Sequence, residues 1–258
     1  MKTVGIVGKG FVGNAIYENL KSKNLVKIFD IDPVKSLDSL ESVLDSDLIF
    51  VCLPTPMYEG GTCNTEYIYN FFNEIQTSGI LILKSTVPIG TTEKLCILRP
   101  DLKIIHNPEF LTAVNATNDF LNADRTVLGG FYDWCEIVKT FLQTQFPNIP
   151  IQITTSNESE TIKYFSNCFL ASKIAFFNNL YETCAKFKLN YETVSAGVCS
   201  DKRIGFSHST VPGSDGKLGF GGYCFPKDIN AFINTQKDND IDSSLLEAVL
   251  CYNNKIRI

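Results

Sequence analysis

The feature that most restricts the fold of this 258-residue chain is an alternation of short apolar runs with amphipathic segments, which extends to about residue 150. Such alternation is typical of a doubly wound α/β sheet. Several runs are apolar throughout, as expected for strands that are buried on both faces. The predicted strands are Val4–Val7, Val26–Phe29, Leu48–Cys52, Ile80–Leu83, Lys103–Ile105 and Thr126–Leu128, and the predicted helices between them include Phe11–Leu20, Glu66–Ile75 and Thr91–Ile97.

The pattern changes after Ile151–Thr154. Asn157, followed three residues later by Glu160, resembles a capping box and predicts a helix that begins at Asn157. Apolar residues then recur at helical spacing to about Phe187. They are Ile162, Phe165, Phe169, Phe176, Leu180, Cys184 and Phe187. This long helix is too apolar to stand alone in water, so we expect it to pack against a second copy of itself or against the rest of a helical domain.

The remaining residues are also helical in pattern, through Ala231–Asn234 and Ser244–Asn253, with a Gly/Pro-rich loop at Thr210–Gly222. We therefore predict two domains. The first is a doubly wound α/β domain over residues 1–155. The second, over residues 156–258, is all-helical and contains the one long central helix.

The charge balance limits the classes of partner. The net charge is −5 without a basic cluster, which argues against nucleic acid or an anionic membrane surface. No apolar run approaches the ~20 residues needed to span a bilayer. The segment from Met1 to Gly10 has the pattern of a strand and turn, unlike an export signal. We expect a cytoplasmic protein.

Nine cysteines raise the question of disulfides or a metal site. Their number is odd, no Cys-x-x-Cys pair occurs, and His106 and His208 lie far from any ligand-like spacing. A structural zinc site is therefore not expected. Most cysteines are expected to be small buried apolar residues in a reducing compartment, for example Cys52, Cys96, Cys168 and Cys184.

A glycine-rich motif follows the first predicted strand and opens the first helix. It reads Gly8, Lys9, Gly10, Phe11, Val12, Gly13. In a Rossmann domain the first glycine permits a tight turn, the second lets the backbone approach a pyrophosphate, and the third lets helix and strand pack closely. Amides at the helix start then face the anion. Glycines of purely structural origin are the alternative.

Asp30 strengthens the dinucleotide interpretation because it ends the second strand at the expected distance. Its carboxylate would accept hydrogen bonds from both hydroxyls of an adenosine ribose and would repel a 2′-phosphate, which favours NAD over NADP. A helix-cap or loop acid is the alternative for Asp30. Lys35 could lie near the same ribose or phosphate, or could equally be a solvated lysine.

The most informative stretch is the loop from Gly219 to Asp228, which reads GFGGYCFPKD. Pro226 suits the first turn of a helix, so Cys224 is predicted to lie at the helix start, where the dipole and free amides stabilise a thiolate. Lys227 and Asp228 follow on the same face. The glycines keep bulk away from the sulfur. A buried cysteine in a glycine turn is the alternative.

Seven motifs together resemble the UDP-glucose/GDP-mannose dehydrogenase family, from Lys2 to roughly Asn254. They are Gly8–Gly13, Lys84–Thr91, Asn107–Leu111, Asp124-Arg125, Lys163-x-x-x-Asn167, Arg203–Gly205 and the cysteine loop. The resemblance implies NAD-dependent oxidation of the C6 alcohol of a nucleotide sugar, with UDP-glucose as the first candidate. The cysteine traps the aldehyde as a thiohemiacetal, a second NAD accepts another hydride, and water hydrolyses the thioester.

The same resemblance implies residue roles. Cys224 would be the nucleophile, Lys163 and Asn167 would stabilise the oxyanion, and Asp228 with Thr86 would orient water. Glu109 would serve substrate placement or acid–base chemistry. Thr55, Thr86 and Lys227 would lie on the cofactor side. The expected substrate contacts are Glu109, Phe110, Leu111, Lys163, Asn167, Arg203, Gly213, Lys217, Gly221 and Phe225.

Each of these roles has a structural alternative. Lys163 could be a solvated lysine on the long helix, Glu109 a helix-capping acid, and Asn167 a buried hydrogen-bonding side chain.

The chain departs from the family pattern in two respects. Ala113 occupies a position where the family commonly has a second glutamate, so thioester hydrolysis is expected to depend on Asp228 and Thr86, or to be slower. Family members usually continue into a second Rossmann-like domain, whereas this chain stops near the end of the central helical domain. We expect a short form, in which affinity for a UDP-sugar is weak, or a second chain supplies the missing surface, or the substrate is different.

Two other functions remain open on the sequence alone. One is a two-electron dehydrogenase of the β-hydroxyacid type, which leaves Cys224 without a role. The other is a non-catalytic NAD-binding partner module. The predicted partners are a nucleotide-sugar substrate and a second copy of the chain, joined through the long helix.

Overall fold

The computed structural model describes residues 2–112 and 115–257. Seven strands and ten helices are found in these residues. In chain order they are β1 Val4–Val7, α1 Phe11–Leu20, β2 Val26–Phe29, α2 Leu40–Leu44, β3 Leu48–Val51, α3 Glu66–Glu74, β4 Ile80–Leu83, α4 Thr91–Leu98, β5 Lys103–His106, α5 Ala116–Leu121, β6 Thr126–Gly130, α6 Tyr132–Gln145, β7 Ile151–Thr154, α7 Ser156–Phe187, α8 Tyr191–Cys199, α9 Phe225–Asp238 and α10 Ser244–Ile256.

The strands form one sheet in the order β2-β1-β3-β4-β5-β6-β7. Neighbouring strands are parallel except for β5 and β6, which pair antiparallel. The strand order reverses between β1 and β3. In open sheets of this kind, ligands bind at such a reversal, beyond the carboxyl ends of the strands. The sheet confirms the predicted doubly wound α/β fold.

Packing on both faces of the sheet explains why several strands are apolar throughout. In β3, Leu48 and Phe50 join one buried cluster with residues of α1 and α6. The intervening Ile49 and Val51 join a second cluster with residues of α3 and α4. Successive side chains of a strand point to opposite faces, so both faces of this sheet are covered.

The chain divides into two compact units. The first comprises Met1–Pro56 and Asn64–Lys163, and the second comprises Met57–Cys63 and Tyr164–Ile258. The helix α7 begins in the first unit and continues in the second. The domain boundary between residues 155 and 156 stays a prediction.

The second unit has its own core and is helical. Phe177 and Cys184 of α7 pack there with Tyr191, Cys199 and Val211. The presence of one long helix, as predicted, is confirmed by the 32 residues of α7. No helix in the described residues combines the length and the apolar character that a membrane span would need.

The predicted start of α7 was wrong by one residue, and its predicted capping box was wrong. The helix begins at Ser156, and the box is formed by Thr155 and Glu158. The Glu158 carboxylate accepts from Thr155 N at 2.9 Å, and Glu158 N donates to Thr155 Oγ1 at 3.3 Å. Glu160 accepts hydrogen bonds from a different segment, at Gly90 and Thr92, and therefore cannot close a box with Asn157.

Candidate active site

The glycine-rich motif lies at the strand reversal, directly after β1. A Cβ on Gly8 would lie 2.5 Å from Cys52 O, and one on Gly13 would lie 1.9 Å from Gly8 O, so both positions are closed to side chains. Around Gly10, the N-terminal cap of α1, a Cβ would meet nothing within 4 Å. The tight packing at Gly8 and Gly13 and the open space at Gly10 are compatible with a dinucleotide loop, and the binding roles of these glycines stay a prediction.

Phe11 and Val12, which lie between Gly10 and Gly13, differ in exposure. Phe11 begins α1 and is exposed, whereas Val12 packs against the buried cluster on this face of the sheet.

Asp30 lies at the end of β2 and binds the glycine loop. Its Oδ2 accepts from Lys9 N at 2.6 Å, and its Oδ1 accepts from Asp32 N at 2.9 Å. Asp30 thereby links the carboxyl ends of β1 and β2. Lys35 forms an exposed ion pair with Asp32 at 3.4 Å.

The segments after β3 and β4 are joined to each other. Thr55 Oγ1 donates to Thr86 O at 2.8 Å, and Ser85 Oγ donates to Leu53 O at 2.6 Å. The structure therefore brings together Thr55 and Thr86, the two threonines predicted on the cofactor side.

Two buried groups for which the sequence predicts no role lie at the ends of β4 and β5. Lys84 Nζ donates to Asn107 Oδ1 at 2.9 Å, and burial lowers the pKa of Lys84 to about 8. Burial also lowers the pKa of His106 to about 3, so the imidazole is neutral at pH 7. Its Nδ1 lies 2.9 Å from Ser159 Oγ and its Nε2 lies 3.3 Å from Ser85 O. The available signals were a lysine directly after an apolar strand and a histidine as the last residue of the next one.

Glu109 and Lys163 form a buried ion pair. Lys163 Nζ donates to Glu109 O at 2.6 Å and to Glu109 Oε1 at 3.0 Å. Leu111 N donates to the other carboxylate oxygen of Glu109 at 2.6 Å. Lys163 is only 3% exposed and Glu109 8%, which excludes the alternative that Lys163 is a solvated lysine.

The ring of Phe110 lies close to two cations. The Arg125 guanidinium is 4.4 Å and Lys163 Nζ is 5.4 Å from the ring centroid. A cavity of about 180 Å³ adjoins this group, and its lining includes Lys84, Glu109, Phe110, Leu111 and Arg125.

In the second unit, Asp228 is the centre of a buried hydrogen-bonded group. Asn167 Nδ2 and Lys227 Nζ each lie 2.5 Å from one carboxylate oxygen of Asp228, which is 1% exposed. Burial by itself would lower the pKa of Lys227, but the negative charge of Asp228 and the nearby thiols of Cys63 and Cys224 raise it above its ordinary value.

Cys224 lies at the N-terminal cap of α9, where the sequence predicted it. Asp228 N donates to Cys224 O at 2.8 Å as the first turn of the helix, and Pro226 occupies that turn. Cys224 is half-buried. The helix start therefore places Cys224 one turn before Lys227 and Asp228, and the Asp228 carboxylate binds Asn167.

The other predicted substrate contacts have varied surroundings. Gly213 N donates to Lys217 O at 2.9 Å and closes their loop. Phe225 packs edge-on against His208 at 5.8 Å. The space beside Gly221 holds the guanidinium of Arg257, the movable end of a long side chain.

Arg203 is not joined to the Asp228 group in the described contacts. Its side chain is 89% exposed and pairs with Asp201. Ala113, which departs from the family pattern, lies outside the described residues.

Two family models match the chain. The NAD binding domain of the UDP-glucose/GDP-mannose dehydrogenase family matches residues 15–144, and the central domain of the same family matches residues 157–255. The first match confirms the predicted cofactor, NAD.

Individual relatives agree with these matches. UDP-glucose 6-dehydrogenase of Rickettsia conorii is 33% identical over 244 residues, which cover 91% of this chain and 55% of the relative. The enzyme of the same name from Rhizobium meliloti is 35% identical over 233 residues, covering 84% and 52%. The chain therefore spans about half the length of these curated relatives. A solved UDP-glucose dehydrogenase from Pyrobaculum islandicum superposes with a TM-score of 0.85 at 27% identity, over 99% of this chain and 68% of that one.

Proposed function

Because the chain belongs to the UDP-glucose/GDP-mannose dehydrogenase family, we propose that it catalyses the NAD-dependent four-electron oxidation of the C6 alcohol of a nucleotide sugar. UDP-glucose, oxidised to UDP-glucuronate, is the proposed substrate. The observation that carries the proposal is the position of Cys224 at the start of α9, one turn before Lys227 and the Asp228 carboxylate that binds Asn167.

The residues around the glycine motif fit NAD. The open space at Gly10 leaves room for a pyrophosphate, and no acidic residue lies in the first turn of α1 to repel it. The Asp30 carboxylate has capacity for a ribose hydroxyl, since each of its oxygens has two lone pairs and accepts one described bond. When bound, NAD supplies a hydride acceptor.

Donor arithmetic supports the oxyanion roles of Lys163 and Asn167. An ammonium group has three donors, and Lys163 uses two of them in its described contacts with Glu109. A carboxamide has two, and Asn167 uses one on Asp228. Within the described contacts, each side chain thus keeps one hydrogen for developing negative charge, while its other contacts fix its direction. Such preorganised donors are the strongest general source of transition-state stabilisation.

In the proposed sequence, the C6 alcohol loses a proton and a hydride and becomes an aldehyde. The Cys224 thiolate adds to the aldehyde carbon and forms a C–S bond, and the oxygen charge is stabilised by Lys163 and Asn167. Loss of a second hydride converts this thiohemiacetal into a thioester. Water then attacks the carbonyl carbon, the C–S bond breaks, and the carboxylate and the Cys224 thiolate are released.

Asp228 is proposed to orient the water. Its carboxylate is held on both oxygens, by Asn167 and by Lys227, so its orientation is set before substrate binds. The Lys227 ammonium also stabilises a thiolate at Cys224, because a nearby cation favours the charged form of sulfur. Glu109 is proposed to keep Lys163 in place and to exchange protons with the substrate hydroxyl.

The proposed assembly is a homodimer through α7. Phe169, Phe176 and Phe187 on this helix are 67%, 65% and 70% exposed in the single chain, so a second copy would cover apolar surface.

Replacement of Cys224 by serine tests the covalent route. We expect Cys224→Ser to form no uronate from UDP-glucose, while the Kd for NAD⁺, measured by calorimetry, stays unchanged. Cys251→Ser is the matched control, because Cys251 is an exposed cysteine of the same unit. Normal uronate formation by Cys224→Ser would refute the proposal.

A further inference from the structure

Glu160 is a buried carboxylate in the first turns of α7 that binds a segment far away in sequence. Its Oε2 accepts from Gly90 N at 2.6 Å, and its Oε1 accepts from Thr92 N at 2.8 Å and from Thr92 Oγ1 at 2.7 Å. The residue is 0% exposed. Gly90 is the N-terminal cap of α4 and has no side chain, so Glu160 supplies the cap of that helix from another element.

A buried carboxylate cap of this kind loses the hydration of its charged form. Burial raises the pKa of Glu160 to about 6, although the hydrogen bonds from Gly90 and Thr92 oppose the rise. Serine or aspartate at position 90 would cap α4 locally, but Gly90 has φ +88°, a left-handed conformation that side chains rarely adopt. The conformation of the segment before α4 therefore requires both a glycine and a remote acceptor.

That segment contains Thr86, which is proposed to serve the cofactor side and to orient water. The other end of this segment is held through His106. Ser159, the residue before Glu160, contacts His106, and His106 in turn contacts Ser85 O. Consecutive residues of α7 thus hold the segment both before and after Thr86. Lys163, one turn further along α7, binds Glu109.

We propose that Glu160 is a positioning residue for NAD-dependent oxidation: it fixes the segment that carries Thr86 against the helix that carries Lys163. The role of Glu160 in oxidation rests on the proposed function, whereas its effect on the affinity for NAD⁺ is a separate claim. A shift of that segment would move Thr86, and Thr55 with it, because Thr55 Oγ1 binds Thr86 O.

The test is the Kd for NAD⁺ of the full chain, measured by calorimetry on Glu160→Gln. Glutamine keeps the size but replaces one acceptor oxygen with an NH₂ group, which faces another donor. We expect Kd to rise at least about tenfold, equivalent to about 1.4 kcal/mol. A purely structural role would lower the folded fraction and leave Kd of the folded protein unchanged. An unchanged Kd in folded Glu160→Gln overturns the inference.

Glu158→Gln is the matched control, because it removes the same charge from the same turn of α7, where Glu158 contacts only Thr154 and Thr155 in the described residues. Its Kd should stay at the wild-type value, and an equal rise there would overturn the inference. If Glu160→Gln does not fold, Thr92→Val is the variant that tests the inference, because it removes the hydrogen bond from Thr92 Oγ1 to Glu160. A raised Kd supports the inference, and an unchanged one refutes it. Absence of NADH production by wild-type protein that binds NAD⁺ would refute the proposed function and leave this test valid.

Discussion

Substitution of Gly13 by alanine should weaken the packing of α1 against β1. The new Cβ would lie 1.9 Å from Gly8 O and 3.3 Å from Ile6 Cγ2. The first contact is with a backbone oxygen, which no rotamer change can move. It is also held in place, because Gly8 N donates to Phe29 O at 2.8 Å. The helix must therefore move away from the strand.

The size of the effect follows from two opposing terms. Overpacking of a close-packed interior costs about 1–3 kcal/mol, and this contact belongs at the upper end of that range. Alanine in place of a helical glycine returns about 1 kcal/mol. The net loss in free energy of unfolding is then about 2 kcal/mol. For a chain of this size, that loss corresponds to a fall in Tm of about 4–8 °C.

Gly10→Ala is the control, because a Cβ there meets nothing within 4 Å and the backbone (φ −74°, ψ −167°) is open to alanine. Its Tm should stay within about 2 °C of wild type. Its Kd for NAD⁺ should rise at least about tenfold, because the methyl group occupies the approach of the pyrophosphate. Calorimetry measures Tm and Kd on the same samples. Wild-type Tm for Gly13→Ala, or wild-type Kd for Gly10→Ala, would refute the assigned glycine roles.

Three further predictions concern buried polar groups. Glu160 has a folded-state pKa of about 6 against an ordinary 4.5, so the folded state binds more protons between these values. The stability of wild type relative to Glu160→Gln should therefore fall by about 2 kcal/mol in total as pH rises from about 3.5 to about 7, with the steepest fall between 4.5 and 6, and a rise would contradict the assignment. Lys163→Met leaves Glu109 unpaired and should lower the free energy of unfolding, measured in urea, by about 3–5 kcal/mol; a loss under 1 kcal/mol would show that the pair is not buried in solution. Asn167→Ala should lower kcat by about 10²-fold with an unchanged Kd for NAD⁺, and a wild-type kcat would remove Asn167 from the oxyanion role.

Local sequence signals predicted the parts of the fold that depend on local chemistry. The apolar runs predicted β1 and β4 at their observed residues, because strands buried on both faces need no alternation. The glycine motif and the turn at Pro226 likewise gave the starts of α1 and α9, since both depend on backbone chemistry within a few residues.

Long-range contacts explain what could not be predicted. Thr155 with Glu158 and Asn157 with Glu160 both fit a capping pattern, and the choice depends on Gly90 and Thr92, about 70 residues away. The same applies to the partner of His106, which is Ser159. Such pairs are set by the packing of strand ends against α7, and no spacing in the sequence records them.

At the candidate site, the surroundings of Lys163 could not be predicted from local sequence. A lysine four residues before Asn167 on a helix is compatible with solvent or with burial, and only the fold brings Glu109 to it. The resemblance supplied the role that local reasoning could not.

The most direct test of the central claim is the number of NADH molecules formed for each molecule of limiting UDP-glucose with excess NAD⁺, read at 340 nm and compared with the uronate produced. A covalent route through Cys224 predicts two NADH per sugar. A value of one NADH with a released aldehyde would contradict it and favour a two-electron dehydrogenase, and no NADH from protein that binds NAD⁺ would favour a non-catalytic module.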